Sequence, residues 1–205
     1  MSEAETTTVA RADDRSTRAQ VRRRRLTFFW VVAAAIVVVD QVAKRWVDAS
    51  YGLSKPYAGA AGPIVAPTPI IGDLVRISKT YNDGALFGMF SSTATVFAIG
   101  SLVVVGFIVW YETTQGHRGH WLLTVALTLL MGGAVGNLID RLRQGYVVDF
   151  VDMGIGASRW YTSNLADGCI SLSIVLLLVL SLLGDRLGGA EEASPAAGST
   201  HETRE

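Results

Sequence analysis

Two carboxylates, Asp149 within Val147–Asp152 (VVDFVD) and Asp167 at the end of Asn164–Asp167 (NLAD), stand in and just after a polar connection between apolar runs. If such a pair meets, its titration couples: two acids in contact do not easily both ionise, and one keeps its proton near neutrality. The ionised member can then deprotonate a water while the protonated one polarises a carbonyl, which is aspartic-protease chemistry. Spacing alone does not establish this, because isolated acids at a membrane interface are ordinarily solvated or salt-bridged. Three further acids are placed as unusually. Asp40 lies near the far end of a first apolar run, Asp140 ends a third, and Asp152 closely follows Asp149. A carboxylate in or beside hydrocarbon costs roughly 2.5–3.5 kcal/mol even on the lenient insertion scale, so all five are functional candidates.

Their neighbours narrow the chemistry. Asp40 and Lys44 are four apart and share a helix face, with Cβ atoms ~5–6 Å apart. Pairing is how a membrane helix tolerates both charges, so a structural role is preferred to a catalytic one. Gly132 and Gly136 form a G-x-x-x-G that lets another helix approach. Gly133, Asn137, Asp140 and Arg141 continue a stripe at helical spacing, so this run turns a polar face into a bundle. Asn164 and Asp167 share a face at the start of the last apolar run. Other classes stay open on the residues alone. Asp149-x-x-Asp152 hints at a metal-dependent phosphotransferase, but Phe and Val fill the gap and no further acidic cluster follows. A proton-coupled transporter could use Asp40, Asp140 and Asp167, although four spans without a repeat is small for one. Nucleophilic hydrolysis lacks support: Cys169 has no His nearby in sequence, and no Gly-x-Ser-x-Gly occurs.

The elements that must carry these residues follow from the apolar runs. Half the residues are hydrophobic, and they concentrate in Leu26–Val47, Ala94–Tyr111, Trp121–Ile139 and Leu165–Leu183. Each run is close to the ~20 residues that cross a ~30 Å hydrocarbon core. Only a helix satisfies its own backbone there, so the expected fold is an all-α polytopic membrane protein with four transmembrane helices. Arg22–Arg25 precede the first span and predict a cytoplasmic N-terminus. Four spans return the C-terminus to the same side and bring the five acids to the outer face. Lys44 and Arg45 oppose the charge rule, but their stems can snorkel. Trp30, Trp46, Trp110, Trp121 and Trp160 fall at expected headgroup levels. Beside a span, the arginines suit orientation and anionic lipid better than nucleic acid.

The first run superficially resembles a secretory signal, but cleavage after Ala35 would fall inside an apolar stretch that continues to Val47. An uncleaved span is expected. The lone Cys169 permits no intramolecular disulfide. Residues 1–25 are expected to be a disordered basic tail, 26–184 the membrane domain, and 185–205 a disordered acidic tail. Glu112–His120 reads as a cytoplasmic loop whose His117 and His120 are solvated. On the other side, Asp73–Ser78 (DLVRIS) alternates as a strand does, and Tyr81–Phe90 (YNDGALFGMF) opens with a turn signal. A small β element on the outer membrane surface is expected.

In order along the chain stand Asp40-Gln41-x-x-Lys44, Asn82-x-Gly84-Ala85-x-Phe87-Gly88, Gly132-Gly133-Ala134-x-Gly136-Asn137-Leu138-Ile139-Asp140-Arg141, Val147-Val148-Asp149-Phe150 and Asn164-Leu165-Ala166-Asp167. Together they resemble lipoprotein signal peptidase, the type II signal peptidase of bacteria, over about residues 27–183. The resemblance implies four helices, an extracytoplasmic β-cradle and a short outer helix. It implies a membrane aspartic protease that needs no metal or other cofactor. Such an enzyme cuts the signal peptide from diacylglyceryl-modified prolipoproteins just before the lipidated cysteine. Its partners would be those substrates and membrane lipids, with no nucleic acid, and the chain would be a monomer. It would lie in the bacterial cytoplasmic (inner) membrane, both termini inside and the site outside. Asp149 and Asp167 match the catalytic pair. Asp40, Lys44, Asn82, Gly133, Asn137, Arg141 and Asn164 match substrate-binding or supporting positions, and Asp140 belongs to the same motif. Two departures stand out: Asp83 adds an acid where small or hydroxyl residues are usual, and Gly168-Cys169 follows Asp167 where Ser and a small residue are common.

Overall fold

The computed structural model describes residues 3–56, 63–84, 93–115 and 120–188, with side chains described for 16–56, 63–84, 95–115 and 120–183. The helices are α1 (Glu3–Ser50), α2 (Thr93–Thr114), α3 (Trp121–Gln144) and α4 (Leu165–Gly188). The strands are β1 (Thr68–Ile71), β2 (Val75–Asn82), β3 (Val147–Ile155) and β4 (Ser158–Arg159). Four stretches are long and apolar enough to cross a membrane: Ser16–Ser50, Thr95–Thr114, Trp121–Gln144 and Leu165–Leu183.

The segment 3–25, expected to be disordered, is instead the beginning of α1. No glycine or proline precedes Gly52, so nothing in the polar stretch breaks a helix already nucleated by the apolar one. Extending a helix costs far less than starting it. Residues 189–205 of the expected acidic tail lie outside the described residues, as do 85–90 of the Tyr81–Phe90 segment and His117. The short outer helix is not seen among the described residues.

The helix α3 is the hub, with residues buried along its whole length from Thr124 to Asp140. At one end Leu127 and Met131 pack with Phe29 and Ala33 of α1 and Ile108 of α2 in a closed apolar cluster. At the other end three glycines remove the side chains that would hold neighbours away. A Cβ on Gly132 would meet Ile36 of α1, and one on Gly136 would lie 2.7 Å from the Asp40 carboxylate. One on Gly133 would lie 2.5 Å from the Ala166 carbonyl oxygen of α4. The G-x-x-x-G therefore admits an apolar side chain and a charged group, and Gly133 beside it admits a helix backbone. All five tryptophans are on the outside of the bundle, from 42% exposed at Trp121 to 67% at Trp160, and none belongs to the core.

Gly145 ends α3 in the left-handed conformation, φ 79°, which glycine adopts without a side-chain clash. The chain then enters β3. The sheet is antiparallel in the order β1-β2-β3-β4. The alternating Asp73–Ser78 stretch enters β2 only at Val75, and the strand continues to Asn82. An irregularity between Ile77 and Thr80 resets the register, so that Thr80 opposes Asp149 and Asn82 opposes Val147. That shift places Asn82 beside the first carboxylate of interest.

Candidate active site

The last helix starts with a capping box. Asn164 is the N-cap: its Oδ1 accepts from the Asp167 N–H at 2.9 Å, and Asp167 Oδ2 accepts from the Asn164 N–H at 3.3 Å. The intervening Ala166 N–H donates across the bundle to Asp40 Oδ1 at 3.0 Å. Three of the otherwise unpaired amide groups at the helix start are thus satisfied by residues of this cluster. NLAD is at once a helix-start signal and a way of holding an acid at a defined place.

Asp149 comes to the same point from β3. Its Oδ1 accepts from Asn164 Nδ2 at 2.6 Å and its Oδ2 from Asn82 Nδ2 at 2.9 Å. Asp167 Oδ1 accepts from Asn137 Nδ2 at 2.8 Å. The three amides are oriented by what their oxygens accept. Asn82 Oδ1 takes the Gly84 N–H, and Asn164 Oδ1 takes the Asp167 N–H. Asn137 Oδ1 takes both Lys44 Nζ at 2.8 Å and Asn164 Nδ2 at 3.2 Å. Each NH₂ is therefore turned toward an acid.

Beneath this layer lies a buried ionic group. Lys44 Nζ is 2.8 Å from Asp40 and 3.0 Å from Asp140. Gln41 Nε2 donates to Asp140 Oδ1 at 2.7 Å and to the Gly136 carbonyl at 3.1 Å. Asp140 Oδ2 also takes the Val148 N–H at 3.4 Å, which ties the strand bearing Asp149 to α3. Gln41 was quoted within a motif but given no role; its spacing of three from Lys44 is the signal that both reach one partner. Arg141 has its guanidinium 5.4 Å from the centre of the Phe97 ring, within electrostatic range of Asp167, Asp149 and Asp140. Four carboxylates thus face two cations.

Asp149 is 1% exposed. Burial raises its pKa to about 6; amide hydrogen bonds from Asn82 and Asn164 oppose the rise and the Asp167 charge adds to it. Asp167 is half-buried. One acid is desolvated and the other reachable by water, which separates their environments as acid–base work requires.

All ten site residues expected from sequence meet here: Asp149 and Asp167 with Asp40, Lys44, Asn82, Gly133, Asn137, Asp140, Arg141 and Asn164. The fifth acid does not join them. Asp152 pairs with Arg76 at 2.8 Å and with Arg159 at 3.0 Å, at the far end of β3. Although burial pushes the other way, Arg159 and Arg76 hold its carboxyl below the usual range. Strand alternation and the lengthening distance along β3 carry it away from Asp149. Among the described residues no three His, Cys, Asp or Glu side chains are grouped to hold a metal.

Residues 32–183, well over half the chain, match the family model described as signal peptidase (SPase) II. The chain belongs to the signal peptidase II family. A lipoprotein signal peptidase of Staphylococcus carnosus is 31% identical over 149 residues, covering 73% of this chain and 86% of that one. One from Xanthomonas euvesicatoria pv. vesicatoria is 33% identical over 160 residues, covering 75% and 84%. A solved bacterial membrane enzyme, determined in meso at 2.3 Å, superposes with a TM-score of 0.64 at 25% identity, covering 84% of this chain and 95% of that one. A second, at 1.9 Å, gives 0.65 at 27% identity, covering 78% and 94%. The family's membrane character agrees with the four apolar helices found among the described residues.

Proposed function

We propose that this family member is an aspartic endopeptidase of the bacterial cytoplasmic membrane, cutting diacylglyceryl-modified prolipoproteins just before the lipidated cysteine. The observation that carries the reading is Asn164, which holds Asp149 by its side chain and Asp167 by its backbone, so that both acids border one space. In the mechanism, one carboxylate takes a proton from water as that water attacks the scissile carbonyl. The other, protonated, donates to the carbonyl oxygen. Collapse of the tetrahedral intermediate returns a proton to the leaving amine. The asparagines keep both acids in place through the cycle, since all three NH₂ groups are already aimed and need no reorganisation.

Membrane placement follows the charge pattern: both termini cytoplasmic, the sheet and dyad at the outer surface, and the chain acting as a monomer. The β element would lie on the membrane as a cradle, with exposed Ile70, Ile71, Leu74, Ile155 and Trp160 at its rim. A substrate whose cysteine is lipid-anchored reaches that level without leaving the bilayer.

Purified protein given a lipidated precursor should release the signal peptide in the presence of a chelator, and the unlipidated precursor should remain uncut. Cleavage abolished by chelator would point to a metal-dependent enzyme. A cysteine at Ile155, which is 76% exposed, should react with an impermeant label in intact cells. Labelling only after permeabilisation would invert the topology. Gly154 is unsuitable for that purpose, because a Cβ there meets the Ser158 carbonyl and Arg159.

A further inference from the structure

The four arginines Arg22–Arg25 occupy successive helical positions about 100° apart, so they cannot share one face. Two are engaged with the bundle. Arg22 Nη2 donates to the Thr113 carbonyl at the end of α2, 2.9 Å away. Arg25 lies over the Trp121 ring of α3 at 5.6 Å and attracts the buried Glu112 of α2. Arg23 and Arg24 are exposed on the other side of α1 and make no hydrogen bond or ion pair among the described residues. Beneath them runs a groove of about 570 Å³, lined by Arg23, Arg24, Thr27, Phe28, Val31 and Val32 among others. Its character passes from cationic to apolar over about 12 Å of helix, eight residues at 1.5 Å each from Arg24 to Val32. Phe28 is set firmly in its wall by Trp121, the two rings 4.9 Å apart.

We propose that this groove binds one anionic phospholipid of the cytoplasmic leaflet, its phosphate between Arg23 and Arg24 and an acyl chain along Phe28, Val31 and Val32. The inference rests on the topology under Proposed function, which puts this end of α1 at the cytoplasmic headgroup level. Charge complementarity selects the ligand. Two guanidinium groups suit a phosphodiester, and among the described residues no carboxylate lines the groove to receive the cationic headgroup of a zwitterionic lipid. The division of labour among the arginines explains a run of four where orientation alone needs no such geometry: two lock the helices together and two face lipid.

The test is native mass spectrometry of the full chain released from micelles with equal phosphatidylglycerol and phosphatidylcholine. One phosphatidylglycerol should be retained at about 30-fold excess, the effect of two arginines near an anionic surface. The Arg23→Gln/Arg24→Gln variant should lose that excess, whereas Arg22→Gln should keep it. Cleavage of lipidated precursor in neutral detergent should be unchanged in the double variant, which confirms that it folds. Equal retention of the two lipids, or an excess that survives the double substitution, overturns the proposal. Displacement of the lipid by millimolar inorganic phosphate would also overturn it, in favour of a free-anion site. Binding in micelles does not depend on orientation in the cell, and the Ile155 label reads orientation separately, so the two failures are distinguishable.

Discussion

Asn164 and Asp167 hydrogen-bond to one another twice, each backbone N–H donating to the other's side chain, at 2.9 and 3.3 Å. One acid of the proposed dyad is therefore also the fourth residue of a capping box, and removing it has two separable consequences. Asp167→Asn keeps an oxygen for the cap and turns its NH₂ toward the Asn137 donor, a clash that water can relieve at this half-buried position. It should melt within a few degrees of wild type while cleaving no precursor. Asp167→Ala should lose activity and about 1 kcal/mol of stability as well. Gel-shift of a lipidated precursor alongside thermal melts checks both. Near-wild-type turnover in Asp167→Asn would remove the acid from the chemistry.

Asp149→Asn should also be inactive, but for stability it is the worse amide. Asn82 and Asn164 both present donors to this position, so a new NH₂ must oppose one of them, and at 1% exposure water cannot relieve the clash as it can at Asp167. An unmatched buried donor costs about 1–3 kcal/mol, and the melting temperature should fall accordingly near neutral pH.

The pH dependence of stability follows from the same group. Asp149 has a folded-state pKa of about 6 against an ordinary 3.8, so between these values the folded protein holds a proton that the unfolded chain has released. The resulting stabilisation is complete below pH 3.8 and is lost as pH rises through 6. Melting temperature should decline across that window, less steeply in Asp149→Asn. Asn82→Ala removes a hydrogen bond that favours the ionised form, so the alkaline limb of kcat/KM should move to higher pH. The same variant should cleave roughly 5- to 150-fold more slowly, the value of one buried hydrogen bond. An unmoved limb and an unchanged rate would leave Asn82 as a turn residue.

Lys44→Ala strands Asp40 and Asp140 without their shared ammonium group. Breaking a buried pair by removing one partner costs about 3–5 kcal/mol. Because Lys44 also orients Asn137, turnover should fall together with thermal stability. A fully stable but inactive variant would assign Lys44 to the reaction itself.

Glycines on either side of the dyad should respond oppositely. Gly133→Ala drives a methyl group into the Ala166 carbonyl, displacing the start of α4, and should cost about 1–3 kcal/mol and most of the activity. At Gly168 an added Cβ meets nothing within 4 Å. Gly168→Ala should therefore be active and up to about 1 kcal/mol more stable. The unusual glycine after Asp167 is thus tolerated rather than required.

Much of this site was legible in the sequence because charge in an apolar run is costly enough to announce itself. Asp40, Lys44, Asp140 and Asp167 stood out in this way, and the ordered motifs supplied the asparagines. Span ends were less legible. Trp121–Ile139 was expected to stop before Asp140, yet α3 continues to Gln144, because Asp140 and Arg141 find partners inside the bundle. Asp152 was misplaced because Arg76 is remote in sequence and Arg159 lies beyond a turn, so that the β2–β3 and β3–β4 pairings bring both to it. The capping box in NLAD escaped notice because its four residues read equally well as a catalytic motif. The irregularity between Ile77 and Thr80, which brings Asn82 into line with Asp149, leaves no mark in residue type.

The hydrogen bond from Ala166 to Asp40 joins residues 126 positions apart, and the site draws on the first helix, the third, two strands and the last helix. During synthesis the chain therefore carries Asp40 long before the Ala166 amide exists, and Asp149 before Asn164 and Asp167. No partial product, however far its insertion has gone, holds a working pair of acids until the fourth helix is seated. On the proposed mechanism, premature chain termination therefore yields an inert protein rather than an unregulated one.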